Sequence, residues 1–465
     1  MNVKNTTTIL LLGFVCALVF LSQTVSAIQL PLPPMADKTL PNGLKVIVAE
    51  NHEQPVVSMR LLIKVGSSLD PADKAGLANM TAGLLRKGTA TRDANKISEE
   101  IDFIGGSLGA GSDLDASYAT SEVLTKHFDK GLDLLSDIVL NPAFAPAEIE
   151  RLRKQTIAAL MQSKDDPNNV VDEQYKKYLF GDHPYGKPES GTIESVSSLT
   201  RDDIVGFWQK NYIPNNSVLF VVGDVKPEEV FPKIEANLGA WKQGTPPDMK
   251  FPAAKPGSGI KVILINKPDA TQSSVKMGNL GIDRYNPDFF SCRVMNYILG
   301  GGMLVSRMMT EIRQKRGLTY DINTQFSFNR FPGEFTVTTF TRNDSTARAI
   351  SGIIEQLNRM RDTDITPQEL KETISFFNGM LPRQFETLNQ VLGQLVNPEL
   401  YGLGKDYLPT YLDRISKVTA ADVRNAAQKY IDPKNLLIVV VSKADDVREM
   451  LKQFGPITEI ELSDL

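Results

Sequence analysis

Gly43-Leu-Lys-Val-Ile-Val48 returns as Gly259-Ile-Lys-Val-Ile-Leu264, 216 residues further along the chain. Both are short, β-branched apolar runs opened by a glycine, the pattern of a buried strand entered from a turn. A second pair keeps almost the same offset. Tyr212-Ile-Pro-Asn-Asn-Ser-Val-Leu-Phe-Val-Val222 matches Tyr430-Ile-Asp-Pro-Lys-Asn-Leu-Leu-Ile-Val-Val440, 218 residues on. Each of these late strands follows a helix opened by the same kind of cap, Thr200 with Asp203 and Thr419 with Asp422. One matched hexapeptide is weak, but three landmarks at nearly constant offset make the chain a tandem repeat of one unit.

Within each unit strands and helices alternate. Val46 to Ala49 and Val57 to Val65 read as strands. Ile97, Ile101 and Ile104 mark one helix face; Phe128, Leu132, Leu135 and Val139 mark another. In the second unit Phe326 and Phe328, then Phe335 and Val337, alternate across a turn at Pro332-Gly333, which predicts a hairpin. Thr366-Pro-Gln-Glu369 is a capping box with proline at the first helical position. The fold class expected is α+β: two homologous tandem domains, each a mostly antiparallel sheet with helices packed on one side. The first spans 38–241 and the second 259–455, with a proline-rich connector at 242–258. At 465 residues the chain is too long for one ordinary core, which agrees with two. A net charge of −4 without a basic stripe argues against a nucleic-acid partner.

The first 27 residues read as a secretory signal. Lys4 is followed by an apolar run of 13 residues, Ile9 to Leu21, and by a small-x-small cleavage site at Val25-Ser26-Ala27. The run is short for a membrane span; the competing reading is an uncleaved anchor. The expectation is an exported chain, periplasmic or secreted, with no stable membrane insertion once the signal is cut and a mature charge of −5. Cys16 would leave with the signal, so Cys292 alone remains and no internal disulfide can form.

Residues 76–89 read Gly-Leu-Ala-Asn-Met-Thr-Ala-Gly-Leu-Leu-Arg-Lys-Gly-Thr. This frame resembles the metal-binding helix of insulinase/pitrilysin-type zinc peptidases, which carry His-x-x-Glu-His between a Gly-x-Ala start and a Lys-Gly-Thr end. Here Asn79, Ala82 and Gly83 occupy the ligand and base positions. None supplies the imidazole, thiolate or carboxylate that zinc requires, and an alanine methyl cannot take a proton from water. The resemblance implies a third ligand, a glutamate about 75 residues on, where Ala158 and Ala159 stand instead. The three histidines, His52, His127 and His183, share no helical ligand spacing and read as surface or capping residues. The expectation is no metal and no cofactor on this chain.

A second constellation is intact. Glu311-Ile-Arg-Gln-Lys-Arg-Gly-Leu-Thr-Tyr320 is similar to the second-half motif of the same family, whose Arg and Tyr, seven residues apart, face a zinc site from the opposite half. Arg313 and Tyr320 fit it, and both can donate hydrogen bonds to an oxyanion or substrate carbonyl. The competing reading makes Arg313 part of a basic helix end. The glycine triplet in Leu299-Gly-Gly-Gly-Met303 reads as a lid hinge, a site of close substrate approach, or a plain turn. Residues 105–112, Gly-Gly-Ser-Leu-Gly-Ala-Gly-Ser, correspond in the family to an edge strand that binds extended peptide, which marks Ala110, Gly111 and Ser112 as substrate-binding candidates. The resemblance covers nearly all of the mature chain. It implies a non-catalytic subunit that gives Arg313 and Tyr320 to a half-length homologous partner bearing the zinc, in a heteromeric endopeptidase acting on peptides. The alternative is a catalytically silent structural or peptide-binding scaffold of the same fold.

Overall fold

Residues 30–465 are described by a computed structural model; the expected signal segment lies outside them. The repeat becomes two six-stranded sheets. In the first half β1 (Met35–Thr39), β2 (Lys45–Glu50), β3 (Val56–Ile63), β4 (Ser107–Ser112), β5 (Ser117–Leu124) and β6 (Ser217–Gly223) stand in the order β1-β2-β6-β3-β5-β4. In the second β7 (Lys261–Asn266), β8 (Gln272–Leu280), β9 (Ile322–Phe328), β10 (Pro332–Arg342), β11 (Leu437–Ser442) and β12 (Ile457–Glu461) stand in the order β12-β7-β11-β8-β10-β9. The two repeated strand pairs of the sequence are thus neighbours, and parallel, in both sheets: Lys45 lies opposite Val218, and Lys261 opposite Leu437. The pairs on the β3 and β8 side are antiparallel. The repeat breaks only at the outer edge, where β1 runs antiparallel to β2 and β12 parallel to β7.

Local signals act as expected. Thr200 with Asp203, Thr419 with Asp422, and Thr366 with Glu369 each form both hydrogen bonds of a capping box. The hairpin β9–β10 forms, but its turn is 329–331; Pro332 and Gly333 already belong to β10, and the register shifts between Pro332 and Phe335. Gly333 is needed there because a Cβ would stand 2.2 Å from the Ser327 carbonyl oxygen.

Packing adds what periodicity could not. One face of the first sheet, carrying Val46, Val48, Val57, Met59, Leu61 and Val221, is covered by the first half's own helices. Its other face, with Ile47, Leu62, Phe220 and Val222, joins the core of the second half. The element lying across β3 and β6 on that side is helix Leu388–Tyr401 of the second half. The exchange is reciprocal. Helix Pro167–Phe180 of the first half lies across β8 and β11 and buries Val171, Tyr175 and Leu179 against Ile263, Ile265, Val439 and Val441. Lys276 of β8, itself buried, pairs with Asp172 on that helix and with Glu334 at 2.9 Å. At the joint, the buried Asp115 accepts hydrogen bonds from Tyr185 Oη (2.8 Å), Tyr401 Oη (3.2 Å) and the Arg330 backbone N–H (2.9 Å). Residues 242–258 form no helix or strand, but Phe251 packs 5.2 Å from the Phe331 ring.

Candidate functional site

Helix Leu77–Leu84 carries the erased metal motif. It is entered through Gly76 at φ +91°, where a Cβ would meet the Ser190 carbonyl oxygen at 2.8 Å. The buried Asp70 carboxylate caps it, accepting from the backbone N–H groups of Gly76 and Ala78 at 2.9 Å each. Burial pushes this carboxyl up to about 7 against the pull of those two donors. Asn79 is half-buried and its amide donates to the Ser112 carbonyl at 3.4 Å. Ala82 is wholly buried. A Cβ on Gly83 would stand 3.1 Å from Leu152 Cδ2, so leucine occupies the approach a histidine there would need. Ala158 and Ala159 are exposed on helix Pro146–Ser163, which meets the motif helix through Leu152 and through Thr156 against Met80. Among the described residues no three His, Cys, Asp or Glu side chains converge as metal ligands would. The residues present do not fit a zinc ion.

Asn79 leads to β4, the edge strand that ends in Ala110, Gly111 and Ser112. Its outer side has no strand neighbour among the described residues. The glycines on it have a packing cause: a Cβ on Gly109 would meet Thr120 Oγ1 at 2.6 Å, and one on Gly111 would meet Tyr118 Oη at 2.5 Å. The small residues therefore answer first to the side chains of β5 across the ladder.

Arg313 and Tyr320 are brought together. Segment Met309–Lys315 is wound as a π-helix, closed by Leu318 N–H donating to Ile312 O at 3.0 Å. The widened turn and Gly317 at φ +60° swing Tyr320 back, so that the Arg313 guanidinium carbon lies 5.7 Å from the centroid of its ring. Neighbouring charges are engaged: Lys315 pairs with Glu311 at 2.7 Å and Arg316 with Glu355 at 2.6 Å. Among the described residues Arg313 has no carboxylate partner and the Tyr320 hydroxyl has no hydrogen bond, and Tyr320 is 78% exposed. Both heads border an open groove of about 520 Å³ that also includes Gln272, Phe340 and Arg342 and no carboxylate. Every lining residue belongs to the second half, so the structure joins Arg313 to Tyr320 and Asn79 to Ser112 but does not join the two pairs.

Two positions that the sequence leaves between readings take a definite form in the fold. Of the glycine triplet, Gly300 and Gly301 end the π-helical turn Tyr297–Gly301, and a Cβ on Gly300 would lie 2.6 Å from the side chain of Thr324 in β9. The exposed tip follows it, at Met303 (φ +53°), Leu304 and Val305, and is anchored by buried Arg307, which forks onto Glu369 at 2.7 and 2.9 Å. His183 caps a 3₁₀ turn by accepting from Tyr185 N–H, but it is buried rather than surface-exposed, ringed by Phe180, Tyr185, Phe251 and Phe331.

The chain is similar to known peptidases along most of its length. The profile for insulinase (peptidase family M16) matches residues 45–193, and that for the peptidase M16 inactive domain matches residues 198–376. An uncharacterized zinc protease of Mycobacterium leprae is 29% identical over 401 residues, 85% of this chain and 89% of that protein. A protein of Helicobacter pylori described as a non-peptidase homologue is 24% identical over 398 residues, 85% of this chain and 91% of that one. The crystal structure of a peptidase M16 inactive domain from Pseudomonas fluorescens superimposes with a TM-score of 0.82 at 26% identity, covering 88% of this chain and 98% of that one. Two sheets built on one repeated topology, with the paired Arg313 and Tyr320 on the second, are the setting in which these matches fall, and the chain belongs to the insulinase family of peptidases.

Proposed function

We propose that the chain is the zinc-free subunit of a heteromeric metalloendopeptidase for peptide or protein processing. Its partner is a half-length homologous chain with an intact His-x-x-Glu-His motif, and the zinc resides there. Arg313 and Tyr320 are presented in trans to a peptide substrate held partly by the free edge at Ala110, Gly111 and Ser112. The observation that carries this reading is the pairing of Arg313 with Tyr320. Two adjacent donors without partners, over a groove free of carboxylates, are arranged to receive a carbonyl or an oxyanion from outside the chain. A helix-end role for Arg313 accounts for neither the missing ion pair nor the tyrosine. The expected place of work is outside the cytoplasm, periplasmic or secreted.

The test is co-expression with a zinc-motif homologue, gel filtration of the complex, and peptide cleavage by wild type, Arg313→Ala and Tyr320→Phe. Removing one donor lowers turnover by about 10²–10³ while the complex still forms. Full turnover in both variants within intact complexes would sink the shared-site mechanism and leave the catalytically silent scaffold.

A further inference from the structure

A cavity of about 480 Å³ lies in the second half, away from the groove of Arg313 and Tyr320, where helix Leu388–Tyr401 crosses toward the first sheet. That volume is within the range of small-molecule sites, roughly 300–1,000 Å³. Its charge is one-sided. Arg284 and Arg293 both line it, and no aspartate or glutamate does. Neither arginine has a carboxylate within ion-pair distance among the described residues, although the chain carries 55 acidic residues against 51 basic ones. Tyr401 lines the cavity, and its hydroxyl donates to the buried Asp115, which does not line it.

The arginines are held by stacking. The Arg284 guanidinium carbon lies 3.7 Å from the Phe289 ring centroid and 4.8 Å from that of Tyr407, and one of its N–H groups donates to the Tyr407 hydroxyl. Arg284 is only 9% exposed, and among the described residues its other side-chain donors have no partner. Arg293 lies 6.0 Å from the Phe289 centroid and 5.5 Å from that of Phe377, and its side chain makes no hydrogen bond among the described residues. A buried guanidinium without a counter-charge is costly, and folding normally supplies one. Around the two cations stand four primary amides, Asn329, Gln384, Gln394 and Asn397, whose side chains make no hydrogen bond among the described residues. Phe328, Leu381 and Tyr411 complete an aromatic and aliphatic wall.

We infer that this cavity is a binding site for a small organic carboxylate with a flat apolar body, its carboxylate received by Arg284 and Arg293 and its body laid against the aromatic wall. A carboxyl group accepts the forked guanidinium geometry, the amides can take either sense of hydrogen bond around it, and the wall supplies the apolar burial. An aromatic acid and the carboxyl end of a peptide terminating in an aromatic residue share this chemistry. The site is independent of the proposed subunit role, since all its residues are on this chain and none belongs to the Arg313–Tyr320 groove.

The test uses the full chain alone in calorimetric titration against N-acetylphenylalanine, N-acetylphenylalaninamide, phenylacetate and inorganic phosphate. The expected result is saturable binding of N-acetylphenylalanine, at least tenfold weaker binding of the amide, and weaker binding of phosphate. Phenylacetate as tight as N-acetylphenylalanine marks a free aromatic acid as the ligand class; tighter N-acetylphenylalanine marks a peptide terminus. Arg293→Gln, on the half-buried arginine, lowers acid affinity tenfold or more with the unliganded melting point unchanged. Equal binding of acid and amide, preference for phosphate, no saturable heat with any probe, or wild-type affinity in Arg293→Gln overturns the proposal. The acid–amide comparison on the wild-type chain stands even if a variant fails to fold.

Discussion

Ala82 sits where a catalytic glutamate would be, with no exposed surface, on a helix packed against Leu152 at the next position. The space that ligand side chains would need at these positions is taken up by packing. Ala82→Glu places a carboxylate among apolar neighbours, and should lower stability by on the order of 3 kcal/mol or more in urea denaturation. Asn79→His, at a half-buried position, should cost far less. The triple change Asn79→His, Ala82→Glu, Gly83→His is expected not to bind zinc stoichiometrically by metal analysis; one zinc per folded chain would contradict the packing described. Arg313 and Tyr320 behave in the opposite way. With no partner beyond each other, Tyr320→Phe should leave the melting point of the isolated chain unchanged, any effect being confined to turnover in a complex.

At the scale of elements, Arg307 and Glu369 tie the segment after the glycine triplet to helix Pro367–Arg383. Burial pushes the Glu369 carboxyl up, but hydrogen bonds from Arg307 and the Thr366 N–H outweigh it and hold the group at about 2. A depressed carboxylate contributes stability that is present above its unfolded value, about 4.5, and is lost as pH falls toward 2. The shift corresponds to about 3 kcal/mol. Glu369→Gln should be less stable than wild type by about that much at pH 7, with the gap shrinking as pH falls through 4 to 3; a gap independent of pH would refute the ion pair as its source. Sequence alone exposed a good part of this level. Capping boxes at Thr200, Thr366 and Thr419, the β-branched strands and the hairpin were legible because each is fixed by neighbours a few residues apart. The π-helical winding of Tyr297–Gly301 and Met309–Lys315 was not, since the glycines and the tyrosine turn that define it answer to Thr324 and to packing across the sheet. Arg313 beside Tyr320 was legible as a spacing, whereas Arg284 and Arg293 follow no local motif and meet only in three dimensions.

For the whole molecule, the tandem repeat was readable but the exchange of helices was not. Amphipathic spacing says that Val171, Tyr175 and Leu179 share a buried face; it cannot say that the covering sheet lies in the other half. Asp115 fastens the joint with Tyr185, Tyr401 and the Arg330 N–H. Asp115→Ala leaves three buried or half-buried donors without an acceptor and should lower stability by about 3 kcal/mol or more, read by thermal and urea unfolding. Limited proteolysis of the variant should also cut 242–258 faster than in wild type, because that connector packs on Phe331 beside the joint. Unchanged melting and cleavage would mean that the apolar interlock alone carries the joint.

The exchanged helices also set a timetable for biosynthesis. The inner face of the first sheet, with Ile47, Leu62, Phe220 and Val222, has no cover until residue 401 has left the ribosome. At ~5–20 residues per second, that leaves a greasy, half-finished sheet waiting for roughly ten seconds or more after its own strands are made. The nascent chain thus carries an uncovered apolar face for that interval, and a fragment ending in the connector is expected to sediment as aggregate when expressed alone and to stay soluble when the remainder is co-expressed.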